Sequence, residues 1–196
     1  TVLDTANNYA FWVDGGTGDE SELVIGAWLA DRGARDRVTI GTKAGARPSV
    51  PGVGLESAEG LSEKAIRSAL EDSLRRLGTD HVDVFWAHIE DRSVPLSETV
   101  HALAGLVDEG RTGELGVSNH ALWRVEAARA LAGDRPRCTH LQYRYSYLQP
   151  RFDQPLPSSA QFHVTGDLLD YVRSEPELRL WAYSPLLSGG YTREDV

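Results

Sequence analysis

The sequence predicts an α/β fold of the (β/α)8 TIM-type barrel class, with about six of the eight strands carried by this chain of 196 residues. Three observations predict it. Hydrophobic periodicity switches repeatedly between the two-residue repeat of strands and the three- to four-residue repeat of helices. The strand–helix–strand series recurs without a hairpin signal, which implies parallel strands joined by right-handed crossovers. The segments after strands are long (Asn7–Glu20, Ala44–Leu61, Arg144–Gly166) and those after helices are short, the asymmetry of a barrel with one functional mouth. An open doubly wound sheet shares the alternation and is the alternative architecture.

Thr1–Leu3 reads as the end of a strand, and Ser21–Arg32 as a helix with Leu23, Val24, Ala27 and Trp28 on one side. Val38–Thr42 is a β-branched strand. Ser62–Leu77 has the strongest helical signature: Ser62 is a good N-cap, Leu61 and Ile66 can form a hydrophobic staple, and Gly78 follows the end. Its apolar positions Ala65, Ile66, Ala69, Leu70, Leu74 and Leu77 define one face. Strands are expected at His81–Trp86, Glu114–Val117, Thr139–Tyr143 and Leu178–Tyr183, separated by helices at Leu96–Glu109, Leu122–Leu131 and Asp167–Ser174. The Pro/Gly-rich stretch 48–60 reads as a loop over the functional face, so residues 1–196 are expected to form a single, partial barrel domain.

Composition narrows the function. The chain is 41% hydrophobic and 25% charged, in the ordinary globular range. A net charge of −9 argues against nucleic acid or an anionic membrane surface as partner, because both select clustered Lys and Arg. No apolar run approaches the roughly 20 residues of a membrane span, and no secretory signal is visible. Cys138 is the single cysteine, which excludes an intrachain disulfide and suits a cytoplasmic location. It is expected to be a small, half-buried residue without a chemical role. The sequence is silent on oligomeric state.

Four residues at or just past the ends of strand-like runs carry the chemistry: Asp4, Tyr9, Lys43 and His88. Taken singly, each has a bland alternative: a turn cap, a packing aromatic, a paired core amine, a structural imidazole. Together, at strand ends that face one mouth, they are the parts of a proton-transfer site. A carbonyl that accepts hydride develops negative charge on oxygen and needs a proton. A free tyrosine, with a pKa of about 10, is a poor donor near neutrality. A neighbouring lysine ammonium favours the phenolate, and a carboxylate keeps that buried lysine charged. A neutral imidazole can orient the carbonyl. None of the four can deliver hydride, so a cofactor is required.

The remaining strand ends suit such a cofactor. Ser118 and Asn119 close the fourth strand with a hydroxyl and an amide, Gln142 closes the fifth with an amide, and Tyr183 closes the sixth with a flat ring. Ser118-Asn119 could equally cap the following helix, and Tyr183 could equally pack. His81, His101 and His163 receive no role, and no metal-ligand spacing occurs, so no catalytic metal is expected. No G-x-G-x-x-G or P-loop motif is present.

These segments resemble the aldo-keto reductase family over nearly the whole chain. Asp4-Thr5-Ala6-x-x-Tyr9 with Gly18-Asp19-Glu20-Ser21-Glu22 and Gly26 is similar to one family signature. A second lies in Leu77-Gly78-Thr79-Asp80-x-Val82-Asp83-x-x-x-x-His88-x-x-Asp91, with Pro95 and Glu98. Gly110-Arg111-x-Gly113-x-x-Gly116-Val117-Ser118-Asn119 and Ala182-Tyr183-Ser184-Pro185-Leu186-x-x-Gly189 resemble a third and a fourth. The resemblance implies reduction of a small-molecule aldehyde or ketone by NADPH, with NADH as the alternative cofactor. It makes Tyr9 the proton donor, Lys43 and Asp4 its tuning pair, and His88 the carbonyl-orienting group. It assigns Ser118, Asn119 and Gln142 to the nicotinamide amide and Tyr183 to its ring, with Ser184 and Leu186 among the cofactor contacts. Pocket walls would come from Phe11, Trp12, Trp86 and the loop after Gln142. Where the family usually has Tyr-Gly, this chain has Tyr9-Ala10-Phe11-Trp12, a more aromatic rim.

The family barrel has eight strands. The resemblance therefore implies a first strand before Thr1 and final helix and strand units after Val196, the latter carrying the basic residues that grip the cofactor phosphates. The competing functional reading is a non-catalytic nucleotide-binding or regulatory subunit on the same scaffold. The complete tetrad speaks for the enzyme, since a pure binder has no use for all four groups.

Overall fold

The computed structural model describes residues 1–151, 154 and 160–194. Six parallel strands form one sheet in strictly consecutive order. They are β1 (Val2–Asp4), β2 (Thr39–Ala44), β3 (Val82–Ala87), β4 (Thr112–Ser118), β5 (Cys138–Arg144) and β6 (Arg179–Tyr183). The crossovers are α1 (Glu20–Arg32), α2 (Glu63–Leu77), α3 (Leu96–Asp108), α4 (Leu122–Ala132) and α5 (Gly166–Ser174). A doubly wound sheet would reverse its strand order at a switch point. No reversal occurs, so this is the staved sheet of a (β/α) barrel.

The outer face of the sheet and the inner faces of the helices make the core. Ile40, Phe85, Ala87, Leu115, Val117 and Leu141 pack in one cluster with Ile66, Leu70, Leu74 and Leu77 of α2, Leu103 and Leu106 of α3, and Val125 of α4. The α2 signals act as expected: Ser62 Oγ accepts from Ala65 N, and Gly78 ends the helix at φ 66°. Leu61 and Ile66 are both buried. Cys138 is buried in the core rather than half-exposed.

Helix α1 corrects the expected face. Leu23, Val24 and Trp28 are exposed, and the buried residues are Glu22, Gly26 and Leu29. The cause is a polar anchor. Glu22 is fully buried, accepting from Thr42 Oγ1 on β2 and from Arg76 Nε on α2 at 2.7 Å. At Gly26 the helices touch: a Cβ there would lie 2.2 Å from the Arg76 carbonyl oxygen.

Inside the curl, the row Lys43–Trp86–Gly116–His140–Arg179 runs across five strands in register. Trp86 is fully buried in a notch made by glycines on both neighbouring strands. A Cβ at Gly116 would come within 2.2 Å of its ring, and one at Gly41 within 3.0 Å of its Nε1. Trp181 packs edge-on against Trp86 with centroids 5.3 Å apart and donates from Nε1 to His140 Nδ1 at 2.8 Å. His140 Nε2 meets Glu114 at 2.8 Å. These side chains form the floor beneath the strand ends. Among the described residues no helix is long and apolar enough to cross a membrane.

Candidate active site

The loop from β1 to α1 carries Tyr9 and is tied down at each step. Thr5 N and Asn7 N extend the ladder onto β2 through Gly41 O and Lys43 O, at 2.9 and 3.1 Å. Asn7 Nδ2 donates to Glu59 Oε1 at 2.8 Å, which also accepts from Gly45 N at 2.7 Å. Asn8 Nδ2 donates to Ala46 O at 2.9 Å, and Arg47 Nη1 reaches Asn7 O. The turn after Tyr9 puts Ala10 at φ 84°, in the left-handed region.

Lys43 lies inside β2 and is fully buried. An ammonium has three donors, and three acceptors surround this one: Asp4 Oδ2 at 2.8 Å, Thr5 O at 2.7 Å and Tyr9 Oη at 3.0 Å. Asp4, on the edge strand, keeps 29% of its side chain exposed and also accepts from Gln142 Nε2 at 3.0 Å. His88 follows β3, held by His88 N to Ala44 O at 2.9 Å. Its ring stands edge-on to Tyr9, centroids 5.8 Å apart. Burial, helped by the charge of Lys43, pushes the His88 pKa down to about 3, so the ring is neutral. Its Nδ1 is sealed in without a hydrogen-bond partner among the described residues, so the other ring nitrogen is the one available to a bound oxygen.

Tyr9 and His88 open onto a cleft of about 540 Å³. One wall is polar: Ser118, Asn119, Gln142, Tyr183 and Ser184. Ser118 Oγ donates to Gln142 O and accepts from Asn119 Nδ2, both at 3.0 Å. Asn119 sits at φ 55°, and its Oδ1 accepts from Tyr183 Oη at 2.7 Å and Phe162 N at 3.1 Å, which fixes the Tyr183 ring. Gln142 commits Nε2 to Asp4, and its Oε1 has no partner among the described residues. The Ser118 hydroxyl hydrogen and both amide hydrogens of Asn119 are used inside the protein, so what this wall offers a nicotinamide carboxamide is the Gln142 Oε1 acceptor, with the fixed Tyr183 ring beside it. The other wall is apolar, with Phe11, Trp12, Ala46, Leu55 and Ile89.

Residues 1–196 match the sequence model of the aldo/keto reductase family. The chain belongs to that family. Human aflatoxin B1 aldehyde reductase member 4 is 35% identical over 200 residues, covering 100% of this chain and 52% of that protein. Protein tas of Escherichia coli is 30% identical over 189 residues, 87% of this chain and 54% of its own length. An aldo/keto reductase from Klebsiella pneumoniae, crystallised with NADP and acetate, superposes with a TM-score of 0.72 at 30% identity, over 99% of this chain and 56% of that one. The chain thus spans about half the length of these relatives.

Within this aldo/keto reductase sheet, Asp4, Tyr9 and Lys43 are in direct contact, with His88 beside them. Ser118, Asn119, Gln142, Tyr183 and Ser184 share the facing wall, and Phe11 and Trp12 the apolar rim. Two expected residues lie elsewhere. Trp86 does not reach the cleft, because it is packed into the floor one level below His88. Leu186 is not among the residues lining this cleft: the chain turns at Ser184, φ 51°, and leaves Leu186 69% exposed. Asn8, Ala46 and Ile89 line the cleft without having been anticipated, while Leu55 and Gln161 belong to the two loops, 48–60 and the one after Gln142, that are expected there. Asn8 and Ile89 could have been flagged as chain neighbours of Tyr9 and His88. Leu55 lies in a 3-10 turn, Gly54–Ser57, that carries no motif.

Proposed function

We propose that this protein reduces an aldehyde or ketone to the alcohol, using NADPH, with Tyr9 as the proton donor. The observation that carries the reading is the Lys43 ammonium bridging Asp4 Oδ2 at 2.8 Å and Tyr9 Oη at 3.0 Å. The bound nicotinamide supplies hydride. Everything else falls to the chain's own groups. Tyr9 Oη–H gives its proton to the carbonyl oxygen as negative charge builds there. Lys43 stabilises the phenolate that remains, and Asp4 and Thr5 O keep the ammonium aimed at Tyr9. Neutral His88 donates a hydrogen bond to the same oxygen and sets its direction. Ser118, Asn119 and Gln142 orient the carboxamide of the cofactor, and Tyr183 backs its ring. The Klebsiella relative crystallised with NADP supports the choice of cofactor.

The test is NADPH oxidation with a panel of carbonyl compounds. Tyr9→Phe is expected to lower kcat by at least about 1,000-fold, while NADPH still quenches the tryptophan fluorescence saturably. A Tyr9→Phe variant as fast as the parent would sink the mechanism. Saturable quenching with no carbonyl reduced by the parent would leave a nucleotide-binding scaffold instead.

A further inference from the structure

The polar wall of the cleft has an unbalanced charge beside it. Arg144 ends β5, and in the parallel register it pairs with Tyr183 of β6. Register partners on adjacent strands project to the same side of a sheet. Tyr183 lines the cleft, so the half-buried Arg144 stands next to it on the cleft side. Arg144 Nη1 donates to Oε1 of Gln161, another cleft residue, at 2.8 Å. Its Nε is buried without a hydrogen-bond partner. Gln161 is neutral, and no carboxylate pairs with Arg144 among the described residues. Asp4, the carboxylate at the base of the cleft, is taken by Lys43 and Gln142. The Arg144 charge tells on its neighbours. Burial, and then Arg144, lowers the His163 pKa. At Tyr183, burial pushes the pKa up to about 12, and the Arg144 charge opposes that rise. Lys43 is balanced by Asp4, so the fixed charge left over on this side is the guanidinium.

We infer that Arg144 makes this wall discriminate between the two redox states of the cofactor, holding NADPH more tightly than NADP⁺. That preference rests on the proposed seating of the nicotinamide against Tyr183 and adds a selective residue to it. The two forms carry the same phosphates, riboses and adenine. They differ at the nicotinamide, which is neutral when reduced and bears one positive charge when oxidised. A guanidinium beside that ring, in a partly desolvated wall, repels the oxidised form and spares the reduced one. Any contact that Arg144 makes with a phosphate is common to both forms and cancels in their ratio. By linkage, the bound couple shifts toward its reduced form by the factor that separates the two affinities. The wall also holds the oxidised product loosely, and product release limits turnover in many enzymes.

Calorimetric titration of the full protein with NADPH and with NADP⁺ tests this without any carbonyl substrate. The parent is expected to bind NADPH at least about fivefold more tightly than NADP⁺. Arg144→Met should tighten NADP⁺ at least about fivefold and leave NADPH within about twofold of the parent. Arg144→Lys keeps the charge and should hold the parent ratio within about twofold. Arg144→Gln gives the neutral reading if Arg144→Met does not fold. Arg173→Met removes one positive charge from the exposed last turn of α5 and is expected to leave the ratio alone. An unchanged ratio in Arg144→Met overturns the inference. So does an equal weakening of both forms, which would make Arg144 a phosphate contact or a structural residue. A like shift in Arg173→Met overturns it too, assigning the selection to the net charge of −9. Binding of neither form by the parent strikes the proposed cofactor site, and the inference with it. Intact NADPH binding with no preference over NADP⁺ strikes the inference alone.

Discussion

Tyr9 is aimed by a turn that costs energy. Ala10, the next residue, sits at φ 84°, where a Cβ is disfavoured by about 1 kcal/mol or more. Asn119, Ser184, Leu187 and Ser188 also have positive φ, and Asn119 and Ser184 line the same cleft. Strain of this kind concentrates where a side chain must be held at one angle. Ala10→Gly is therefore expected to stabilise the fold by about 0.5–1 kcal/mol in urea unfolding, part of the relief being offset by the greater freedom of glycine in the unfolded chain. Gly116→Ala should do the opposite. Its methyl would enter the Trp86 ring, and overpacking of this kind costs about 1–3 kcal/mol; pairing it with Trp86→Leu should recover much of the loss, a coupling that a double-mutant cycle measures directly. The tetrad was legible because its residue types are chemically odd at strand ends. The depth of Trp86 was not, because strand alternation says that a side chain points inward without saying at which level of the barrel interior it sits.

At the scale of elements, existence and order were readable, while facing depended on tertiary partners. Helix α2 has one apolar stripe, and that stripe is buried. Helix α1 has apolar residues on its outer side, and its inner side is chosen by Glu22, Gly26 and Leu29. A carboxylate is an unexpected core residue from sequence alone, since an isolated buried charge is prohibitive. It is tolerated here because Thr42 and Arg76 were brought to it by strand β2 and helix α2. The same contacts tie α1 to the strand that carries Lys43. Glu22→Leu would leave Arg76, 13% exposed, with Asp19 at 3.2 Å and a long 3.5 Å bond to Ser73 Oγ. It is expected to cost about 3 kcal/mol. Leu23→Ser or Val24→Ser, on the apolar side, should change stability by no more than about 0.5 kcal/mol. Denaturant midpoints for the three variants decide it: a larger loss at Leu23 or Val24 would mean that the outward face is wrong.

Two imidazoles whose pKa values burial lowers, His88 and His120, lie near the mouth of the barrel, and that shapes the response of the whole molecule to acid. Consecutive strand order brings the ends of β3 and β4 together, so His88 and His120 follow neighbouring strands. Burial lowers the pKa of both, that of His88 to about 3, and also lowers that of His163. In the unfolded chain each would titrate near 6.5. Between about 6.5 and the folded values, the unfolded state therefore binds protons that the folded state refuses. Stability must rise with pH across that window and fall as pH drops through it. Asp91 and Glu114 act in the same direction but lower down. Their folded pKa values lie below those of free carboxylates, so their contribution is lost only as pH falls from about 4.5. The range from pH 6.5 to about 5 thus reports the histidines. His88 is expected to contribute up to about 2 kcal/mol of the stability lost over it, and His120 and His163 act in the same direction. Urea unfolding at several pH values should show this slope, and His88→Gln should flatten it in proportion. A slope unchanged by that substitution would mean that His88 is protonated in the folded protein. A protonated His88 would leave a second cation beside Lys43, within reach of the carbonyl oxygen, and would remove the neutral donor on which the orientation of the substrate depends.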